Sequence, residues 1–471
     1  MPPIPGGACQ RADVIVIGGG ITGLTAALRI VQQHPTTRVV MLEAAPSVGG
    51  KIRTVRRDGF VVDLGADVFL ARRPEAERLC REVGLSQALR PVPSAARIQR
   101  RGALYPLPEG WTGLVPGRLG PLLTSPLLSV ADRLRAMAEP FVPARSTNGD
   151  ESLEAFVVRR FGRGVYTNLV EPLVGGLYGS DAPVSLAATL PHLHTMEAQG
   201  GILRSWRAQT KQDGPPFKAL EGGMDQWPTA LAEALVATRR VSIHTDTPVS
   251  GIEPIASGYR VHAAHCVIEA AAVIVTTSSQ VAASLLSPLD PAFADPLRAI
   301  PQGSMETVAV GYPPDQATRP IPSCTGYLIP RREGGSVQAV TVYSRKHPGS
   351  APQDHLLFRV FVRPDPAAGE DPSPVARACL HLERQLGLRG APIFTATHTW
   401  HRALPRYTLG HLDRVAALDA ACTRHPGLYL AGACYHGAGL PACVADGERA
   451  ALAAATHLNR ALRTPHEPAQ R

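Results

Sequence analysis

Short apolar runs and helical patterns alternate at the start of the chain. Ala12–Ile17 is apolar and rich in β-branched residues, which is typical of a strand buried on both faces of a parallel sheet. A second run, Arg38–Leu42, predicts another strand. Between the two runs, apolar residues recur at helical spacing at Ile21, Leu24, Leu28 and Val31. The pattern predicts a strand, a helix and a second strand in one βαβ unit.

The turn between the first strand and the helix is rich in glycine. Gly18–Gly23 fits the pattern G-x-G-x-x-G. In a dinucleotide-binding turn, Gly18 permits the tight bend, Gly20 lets the backbone approach a pyrophosphate, and Gly23 lets the helix pack closely on the strand. The helix N-terminus then offers free N–H groups to the phosphates. A purely structural βαβ turn is the alternative.

Glu43 follows the second strand directly, about 20 residues after the glycines. An acid at this place is expected to accept hydrogen bonds from a ribose 2′-hydroxyl group. It also disfavours a cofactor with a 2′-phosphate, because two negative groups would meet there. Strand, turn, helix, strand and acid together favour dinucleotide binding over the structural alternative.

Patterns farther along the chain predict more elements of both kinds. Pro74 is expected to begin a helix that ends before Gly84. Residues 95–210 have more helical periodicity than the rest of the chain. Elsewhere, short apolar runs predict strands, and a glycine-rich loop connects one of these strands to an Ala-rich helix. The helical positions are Leu153, Phe156, Val157 and Phe161. The predicted strands are Thr247–Ile252, Tyr259–Val261, Ala272–Thr276, Val308–Val310, Val337–Val342, Leu356–Val362 and Leu428–Ala431, the loops are Pro364–Pro374 and Gly432–Gly439, and the Ala-rich helix is Val444–His457.

Composition limits the classes of function. The chain has 471 residues, and 44% of them are apolar. A single hydrophobic core is not expected to hold so many residues, so we expect two or more. The net charge is +9, but the only lysines are Lys51, Lys211, Lys218 and Lys346. Arginine pairs well with carboxylates and phosphates, so anionic ligands are one interpretation, and an arginine-rich genome is the other. Aromatic residues make up 5% and no basic run interleaves with them, so we expect no nucleic acid.

Other residue patterns bear on metals and localisation. The eight cysteines are scattered, which favours a reducing compartment, and the pairs His192/His194 and His398/His401 lack further ligands at metal-binding spacing. We therefore expect no metal. The first residues lack a basic signal region, and no apolar run approaches about 20 residues. We expect a cytoplasmic protein. Peripheral membrane contact stays open.

Two segments resemble a superfamily of FAD enzymes. Glu43–Arg53, with Gly49 and Gly50, resembles the double-glycine segment of amine oxidases, phytoene desaturases and protoporphyrinogen oxidases. At the other end of the chain, Gly432, Gly439, Leu440 and Pro441 match the segment that closes the cofactor site in this superfamily. The resemblance implies FAD as the cofactor. An ordinary glycine turn with exposed basic residues is the alternative for Gly49 and Gly50.

A narrower resemblance runs through nearly the whole chain. Segments similar to those of the protoporphyrinogen oxidase family occur in the family's order at Phe60–Pro74, Glu171–Tyr178, Gly326–Arg331, Pro405–His411 and Ala431–Gly437. Phe69–Arg73 resembles the bacterial branch that includes coproporphyrinogen III oxidases. The resemblance implies three two-electron oxidations of a porphyrinogen, most consistent with coproporphyrinogen III. Flavin N5 would accept the hydride, and oxygen would reoxidise the flavin and be reduced to hydrogen peroxide.

The resemblance also implies a set of site residues, in which the flavin and no side chain is the catalytic group. Arg73, Arg72 and Tyr178 would bind substrate, and Glu171 and Met305 would line its pocket. For Glu171, Tyr178 and Met305, a packing or surface role is the alternative. Arg72 and Arg73 have an alternative role as solvated residues before the Pro74 helix. The residues expected to bind the cofactor are Gly18, Gly19, Gly20, Ile21, Thr22, Gly23, Glu43, Ala44, Gly50, Lys51, Arg53, Gly65, Ala66, Asp67, Val249, Trp400, Gly432, Gly439 and Leu440.

The expected fold is α/β: a discontinuous Rossmann-like FAD-binding domain, an α+β substrate-binding domain and a helical insertion. The FAD-binding domain would comprise residues 1–90, 220–295 and 398–471. The helical insertion and substrate cover would be residues 91–219, and the β-rich substrate-binding segment residues 296–397. The apolar segment Leu119–Leu128 would contact a membrane or cap the pocket. A partner enzyme of haem biosynthesis stays open, as do three other functions: protoporphyrinogen IX oxidase, another FAD amine oxidase or desaturase, and a binding module without activity.

Overall fold

A computed structural model describes residues 10–109, 111–112, 115–116, 120–145, 149–178, 183–199, 201–202, 205, 215–364 and 373–463. Residues 365–372 of the predicted loop Pro364–Pro374 lie outside this part of the chain. Pro374 itself begins a helix. Among the described residues, no helix is both long enough and apolar enough to cross a membrane.

The strands of the described residues are numbered in chain order. They are β1 Gln10–Ile17, β2 Val39–Leu42, β3 Thr54–Arg57, β4 Phe60–Asp63, β5 Phe69–Leu70, β6 Leu89–Val92, β7 Ala96–Arg100, β8 Ala103–Pro106, β9 Trp111–Thr112, β10 Val115–Pro116, β11 Phe217–Leu220, β12 Val241–His244, β13 Val249–Ile255, β14 Gly258–Ala263, β15 Cys266–Val275, β16 Gln302–Tyr312, β17 Gly326–Leu328, β18 Val337–Val342, β19 Leu356–Val362, β20 Phe394–Pro405 and β21 Leu428–Leu430.

The α-helices follow the same scheme. They are α1 Ile21–Gln33, α2 Pro74–Glu82, α3 Gly120–Thr124, α4 Val130–Met137, α5 Leu153–Phe161, α6 Arg163–Val165, α7 Glu171–Tyr178, α8 Leu186–Thr189, α9 His192–Ala198, α10 Gln226–Ala237, α11 Ser279–Leu286, α12 Ala294–Arg298, α13 Tyr343–Lys346, α14 Pro374–Leu386, α15 His411–Thr423 and α16 Leu440–Arg463.

The first sheet has seven strands in the order β12-β2-β1-β15-β14-β13, with β21 also paired to β15. Strands β12, β2, β1, β15 and β21 are parallel to one another. Alternate residues of β1 enter two different cores: Val14 and Val16 pack with α1, α10 and α16, and Ile15 and Ile17 pack with α11, α12 and α15. Helices thus cover both faces of the sheet. This explains why these strands are continuously apolar.

The second sheet has seven strands in the order β20-β16-β19-β18-β17-β7-β8. Its neighbouring strands are antiparallel except for β17 and β7. Helix α14 packs on one face through Ala378, Leu382 and Leu386. The β3–β4 hairpin packs on the opposite face, where Phe60 stacks on Phe394 with ring centroids 4.8 Å apart. The β3–β4 hairpin therefore packs on the second sheet, although it follows soon after β2 of the first sheet in sequence.

A separate core forms the helical part of the chain. Phe156, Val157 and Phe161 of α5 are all fully buried in it, as the sequence pattern predicts. In the predicted membrane segment Leu119–Leu128, Leu122, Leu127 and Leu128 are buried in the same core. These three leucines therefore point into the protein. Exposed apolar side chains follow directly after this segment, at Val130, Leu134, Met137 and Phe141.

Several boundaries differ from those that the sequence predicts. Strands β7 and β8, in the expected helical insertion, belong to the second sheet. Residues 398–405, expected in the FAD-binding domain, lie in β20, where cross-strand pairing with β16 continues to Pro405. The C-terminal helix runs from Leu440 to Arg463, because Pro441 suits the first turn of a helix. The division into domains stays a prediction.

Candidate functional site

The glycine-rich turn lies at the carboxyl end of β1. Gly18 has a φ of +109°, a conformation that side chains other than glycine rarely adopt. A Cβ on Gly23 would lie 2.1 Å from the carbonyl oxygen of Gly18, so only glycine lets α1 start this close to the strand. A Cβ on Gly20 would meet no atom within 4 Å. Gly20 therefore borders open space, as its predicted role against a pyrophosphate requires.

Glu43 connects the end of β2 to this turn. Its Oε2 accepts a 2.6 Å hydrogen bond from the Gly19 amide, and its Oε1 accepts a 2.8 Å bond from the Ala45 amide. Each carboxylate oxygen can accept more than one bond, so both can still receive ribose hydroxyl groups. The Thr247 amide donates to the Glu43 carbonyl oxygen at 2.9 Å, which brings the start of β13, including Val249, beside this acid.

The double-glycine segment packs on the same turn. The Gly49 amide donates to the Gly19 carbonyl oxygen at 2.9 Å, and a Cβ on Gly50 would lie 3.2 Å from the Gly20 Cα. Burial raises the pKa of the Cys443 thiol to about 11, and the nearby ammonium group of Lys51 acts against that rise. Lys51 therefore lies between the first glycine turn and the C-terminal segment.

Residues 63–67 form the next layer. A Cβ on Gly65 would lie 2.0 Å from the Lys51 carbonyl oxygen, and the Ala66 amide donates to that oxygen at 3.1 Å. The Trp400 indole donates to the Leu64 carbonyl oxygen at 3.0 Å. Trp400, predicted to bind the cofactor, thus holds the segment that packs on the cofactor turn.

Asp67 is buried and fixed by three side chains: Lys346 and His347 at the end of α13, and Arg359 of β19. Its carboxylate lies 2.7 Å from Lys346 Nζ, 3.1 Å from His347 Nε2 and 2.9 Å from Arg359 Nη2. Burial alone would raise the pKa of Asp67, but Arg359, Lys346 and His347 hold it well below its usual value. Arg359 also donates to the carbonyl oxygens of Asp63 and Gly65 at 2.7 and 3.0 Å. Since the Asp67 side chain is engaged by protein, Asp67 itself is left to face a cofactor only through its backbone.

The C-terminal glycine loop is held from two sides. The Gly432 amide donates to Asp446 Oδ2 at 2.7 Å. Burial alone would raise the pKa of Asp446, but contacts with His436 and Arg449 bring it below its usual value. From the other side, the Tyr407 hydroxyl donates to the Ala433 carbonyl oxygen at 2.8 Å and accepts from the Gly437 amide at 2.7 Å.

The two glycine-rich turns, more than 400 residues apart in sequence, lie next to each other. A Cβ on Gly432 would lie 3.9 Å from Thr22 Oγ1, and one on Gly447 would lie 2.5 Å from the Thr22 carbonyl oxygen. Thr276, at the end of β15, donates to the carbonyl oxygens of Ile17 and Gly18, both at 3.0 Å. The carboxyl ends of β1, β2, β15 and β21 therefore meet in one site, as expected for a nucleotide cofactor in an open α/β sheet.

The residues present fit FAD. Helix α1 has no side-chain cap on its N-terminus, so its first N–H groups remain available for phosphates beside Gly20. Glu43 offers acceptors for a ribose. The loop Gly432–Gly439 offers backbone on the opposite side, with Gly439 exposed and Leu440 half-buried. Ala44, Lys51 and Arg53 are exposed around the same site.

The residues predicted to bind substrate lie at the start of α2 and in α7. Arg72 and Arg73 are exposed, and Arg73 pairs with Glu75 at 3.3 Å. Burial and the charge of Arg72 lower the pKa of His192, which places Arg72 close to α9. Tyr178 is the last residue of α7, and its side chain lies outside the described part of the structure. Both interpretations of the two arginines stay open.

Glu171 and Met305, predicted to line the substrate pocket, lie in different elements of the structure. Met305 is buried in β16 opposite Trp400 of β20. Glu171 begins α7, and its Oε1 lies 3.2 Å from Arg331 Nε. Burial raises the pKa of Glu171, although Arg331 acts against that rise.

One histidine of the sequence lies in a group of potential metal ligands, although we expected no metal site from the spacing. His194 lies with Glu151 and Glu197, and their potential ligand atoms are within 4.8 Å of one another. Glu197 follows His194 by three positions in α9, so spacing could have indicated this acid, whereas Glu151 lies more than 40 positions away in sequence. Arg159 pairs with Glu151 at 2.8 Å and with Glu197 at 2.6 Å. Arg160 Nη1 also lies 3.3 Å from Glu197 Oε1, so both carboxylates are already paired with arginines of the chain.

Sequence patterns missed Asp446, Tyr407 and Thr276. A buried acid in the Ala-rich C-terminal helix could have indicated Asp446, because buried acids are rare without partners. Thr276 ends a predicted strand at the edge where cofactors bind, which could also have been noticed. Tyr407 carries no local pattern that links it to a loop almost 30 residues away.

Comparison with known proteins agrees with this geometry. Residues 21–455 match the family described as flavin containing amine oxidoreductase. The chain is 30% identical to the coproporphyrinogen III oxidase of Bacillus subtilis (strain 168), over 95% of this chain and 99% of that protein. It is 32% identical to the enzyme of that name from Propionibacterium freudenreichii subsp. freudenreichii, over 95% and 91%. It is also similar to the crystal structure of a candidate protoporphyrinogen oxidase from Exiguobacterium sp. 255-15, with a TM-score of 0.82 and 29% identity over 96% of this chain and 100% of that one.

Proposed function

The chain belongs to the flavin containing amine oxidoreductase family and, within it, to the group of the coproporphyrinogen III oxidases, and we propose that it oxidises coproporphyrinogen III to coproporphyrin III. The observation that carries the proposal is similarity over nearly the full length to enzymes of that name, in a chain whose two glycine turns converge on one cofactor site. The cofactor of this enzyme is FAD.

The reaction removes six hydrogen atoms from the macrocycle in three two-electron steps. When bound, FAD supplies the hydride acceptor for each step. We propose that oxygen takes the electrons, so that three molecules of oxygen become three of hydrogen peroxide. For this reaction, the chain must hold the cofactor, orient a flat substrate and exclude water.

The described residues support the holding of the cofactor and offer candidates for binding the substrate. Gly18–Gly23 and Glu43 would hold the dinucleotide part of FAD. Residues 63–67 pack on residues 49–53. Arg359 and Trp400 of the second sheet hold residues 63–65 through hydrogen bonds. Arg359 and Trp400 therefore connect the cofactor site to the second sheet. Arg72, Arg73 and Tyr178 remain our candidates for binding the substrate.

Protoporphyrinogen IX is the alternative substrate. The similar Exiguobacterium structure carries the name of that activity, and both substrates undergo the same ring oxidation. They differ in their peripheral carboxylates, four in coproporphyrinogen III and two in protoporphyrinogen IX.

Aerobic incubation with each porphyrinogen separately, followed by porphyrin fluorescence, tests the proposal. We expect fluorescence to appear much faster with coproporphyrinogen III than in enzyme-free samples, in which porphyrinogens oxidise slowly. Faster oxidation of protoporphyrinogen IX alone would favour the alternative. Enzyme-independent rates with both substrates would refute the proposal.

We further propose that the protein works in the cytoplasm with a peripheral membrane contact. Free thiols, such as those of Cys80 and Cys434, are in keeping with a reducing compartment. Val130, Leu134, Met137 and Phe141 recur at helical spacing and are exposed by 69%, 62%, 42% and 85%. Flotation with anionic liposomes tests the contact, and protein that stays entirely at the bottom of the gradient would refute it. A partner enzyme of haem biosynthesis stays a prediction.

A further inference from the structure

His411 is a fully buried histidine beside the loop that closes the cofactor site. It is the first residue of α15 and ends the segment that connects β20 to this helix. Its ring stacks on the ring of Tyr407, with centroids 4.0 Å apart and planes inclined by only 14°. His411 therefore packs on the side chain whose hydroxyl bonds to the loop at Ala433 and Gly437.

His411 also contacts the same loop directly. Its Nε2 lies 3.0 Å from the carbonyl oxygen of Tyr435, in the middle of the loop Gly432–Gly439. A carbonyl oxygen only accepts hydrogen bonds, so Nε2 carries a hydrogen and donates it. In the neutral ring, Nδ1 then carries none. Among the residues that the structure describes, Nδ1 has no hydrogen-bond partner.

The loop backbone is thus held by side chains from outside the loop. Tyr407 bonds to it on either side of Tyr435, His411 bonds to Tyr435 itself, and Asp446 accepts from the Gly432 amide at 2.7 Å. Of a phenol, an imidazole and a carboxylate, the imidazole is the group that ordinarily changes charge near neutral pH. His411 is therefore the contact that acid would alter first.

The surroundings of His411 oppose its charged form. A second proton, on Nδ1, would place a positive charge and an unpaired N–H group in a buried place. Burial lowers the pKa of His411, and the charges of Arg414 and His436 lower it further. The hydrogen bond to Tyr435 and the charge of Asp150 act in the opposite direction, but burial outweighs them.

These charged neighbours have partners of their own. Arg414 donates to the Leu409 carbonyl oxygen at 2.7 Å, and His436 Nδ1 lies 2.9 Å from Asp446 Oδ1. Asp150 Oδ2 accepts from the Gly410 amide at 3.4 Å. The Asp150 carboxylate thus bonds to the backbone just before α15.

We infer that His411 is a positioning residue for the cofactor: its neutral ring, stacked on Tyr407 and bonded to Tyr435, holds the loop Gly432–Gly439 against FAD, and protonation of the ring loosens this loop. The inference goes beyond the proposed function. It concerns the affinity for FAD and does not depend on which porphyrinogen is oxidised.

The dissociation constant for FAD, measured at about pH 7.5 and about pH 5.5, tests the inference. Holoprotein is diluted, and the recovery of flavin fluorescence reports release, while the melting temperature reports folding. The variants are His411→Phe, which keeps a ring without a donor, and His411→Gln, which keeps an N–H donor without a titrating ring. His355→Gln is the matched control, because His355 Nδ1 also bonds to a backbone carbonyl oxygen, that of Gln353 at 2.8 Å, but lies just before β19.

At neutral pH, His411→Phe should raise the dissociation constant for FAD by about tenfold, because the Tyr435 carbonyl oxygen loses its donor. His411→Gln should restore part of this affinity, and His355→Gln should bind FAD like the wild type.

Acid should separate the variants further. Since the pKa of His411 is lowered, its contribution is present above the ordinary value of 6.5 and is lost as the pH falls below that value. The wild type and His355→Gln should therefore lose up to about tenfold in FAD affinity by about pH 5.5, the limit for the uptake of one proton. Both His411 variants should lose much less, because neither has a ring at this position that titrates.

Three results would overturn the inference. One is an equal pH dependence in the wild type and His411→Gln, and another is wild-type affinity of His411→Phe at neutral pH. The third is a lower melting temperature of His411→Phe without weaker FAD binding, which would show a merely structural role. If His411→Phe does not fold, the comparison of His411→Gln with the wild type decides alone. No porphyrinogen enters these measurements, so a failure of the proposed function is seen separately, in the turnover assay.

Discussion

The Tyr407 hydroxyl accepts a 2.7 Å hydrogen bond from the amide of Gly437. The same hydroxyl donates to the Ala433 carbonyl oxygen at 2.8 Å, so one side chain spans the loop that closes the cofactor site. The backbone of Tyr407 in turn accepts a 2.7 Å hydrogen bond from Ser185, just before α8. Tyr407 thus connects the cofactor loop to the helical part of the chain.

Tyr407→Phe should loosen FAD. The two lost hydrogen bonds contribute about 0.5–1.5 kcal/mol each, about 1–3 kcal/mol together, so the dissociation constant for FAD should rise by at least about fivefold. The recovery of flavin fluorescence on dilution measures it. Tyr429→Phe is the matched control, because its hydroxyl donates to Ala453 in α16, away from the loop. Equal FAD affinity in Tyr407→Phe and the wild type would show that this contact does not hold the cofactor.

Gly20→Ala and Gly23→Ala should fail in different ways. The Gly20 Cβ would meet no protein atom within 4 Å, so the apoprotein should melt like the wild type but bind FAD at least about tenfold more weakly. The Gly23 Cβ would collide with the Gly18 carbonyl oxygen, so that variant should also lose stability. Flavin content and melting temperature of the apoproteins decide this. Normal FAD affinity in Gly20→Ala would argue against a pyrophosphate at this turn.

Asp67 should stabilise the fold above acidic pH. Its pKa in the folded protein lies well below the usual 3.8, so its contribution is present above that pH and is lost as the pH falls through the folded value. Asp67→Asn leaves Lys346 and Arg359 without their shared anion and should lower the free energy of unfolding at pH 7 by about 3–5 kcal/mol. The loss should shrink as the pH drops from 5 toward 3.

Urea unfolding at several pH values measures this effect. Asp58→Asn is the control, because the Arg57–Asp58 pair is exposed and should contribute almost nothing. A difference between wild type and Asp67→Asn that is small at pH 7, or that grows toward pH 3, would contradict the assignment.

Arg73→Ala should raise the KM for the porphyrinogen by about tenfold and leave the FAD content unchanged. The reason is the loss of one charged partner for a substrate carboxylate. Arg78→Ala, in the helix that follows Arg73, is the comparison, because Arg78 pairs with Glu448 and is 54% exposed. Steady-state kinetics with both variants decides between the two interpretations of Arg73. An unaltered KM would leave it a solvated residue before α2.

The sequence predicts best what depends on neighbours in the chain. The strand Ala12–Ile17, the turn Gly18–Gly23, the helix that follows and the acid at Glu43 all lie within about 30 residues, and the structure has this order. Helix α2 begins at Pro74 and Gly84 follows its end with a positive φ, for the same local reasons.

Contacts between distant segments could not be predicted. Asp67 meets Lys346, His347 and Arg359 only because the second sheet packs on residues 54–67, almost 300 positions away in sequence. The strands β7 and β8 are short and join the second sheet through β17, which no periodicity reveals.

Anaerobic reduction of the bound flavin tests the central claim most directly. The purified holoprotein is mixed with coproporphyrinogen III under strict exclusion of oxygen, and flavin absorbance near 450 nm is followed, with dithionite as the reference for full reduction. The account predicts that the flavin bleaches as coproporphyrin III appears, and that admission of air restores the absorbance with release of hydrogen peroxide. Flavin that dithionite reduces, but that stays oxidised with coproporphyrinogen III, would contradict it.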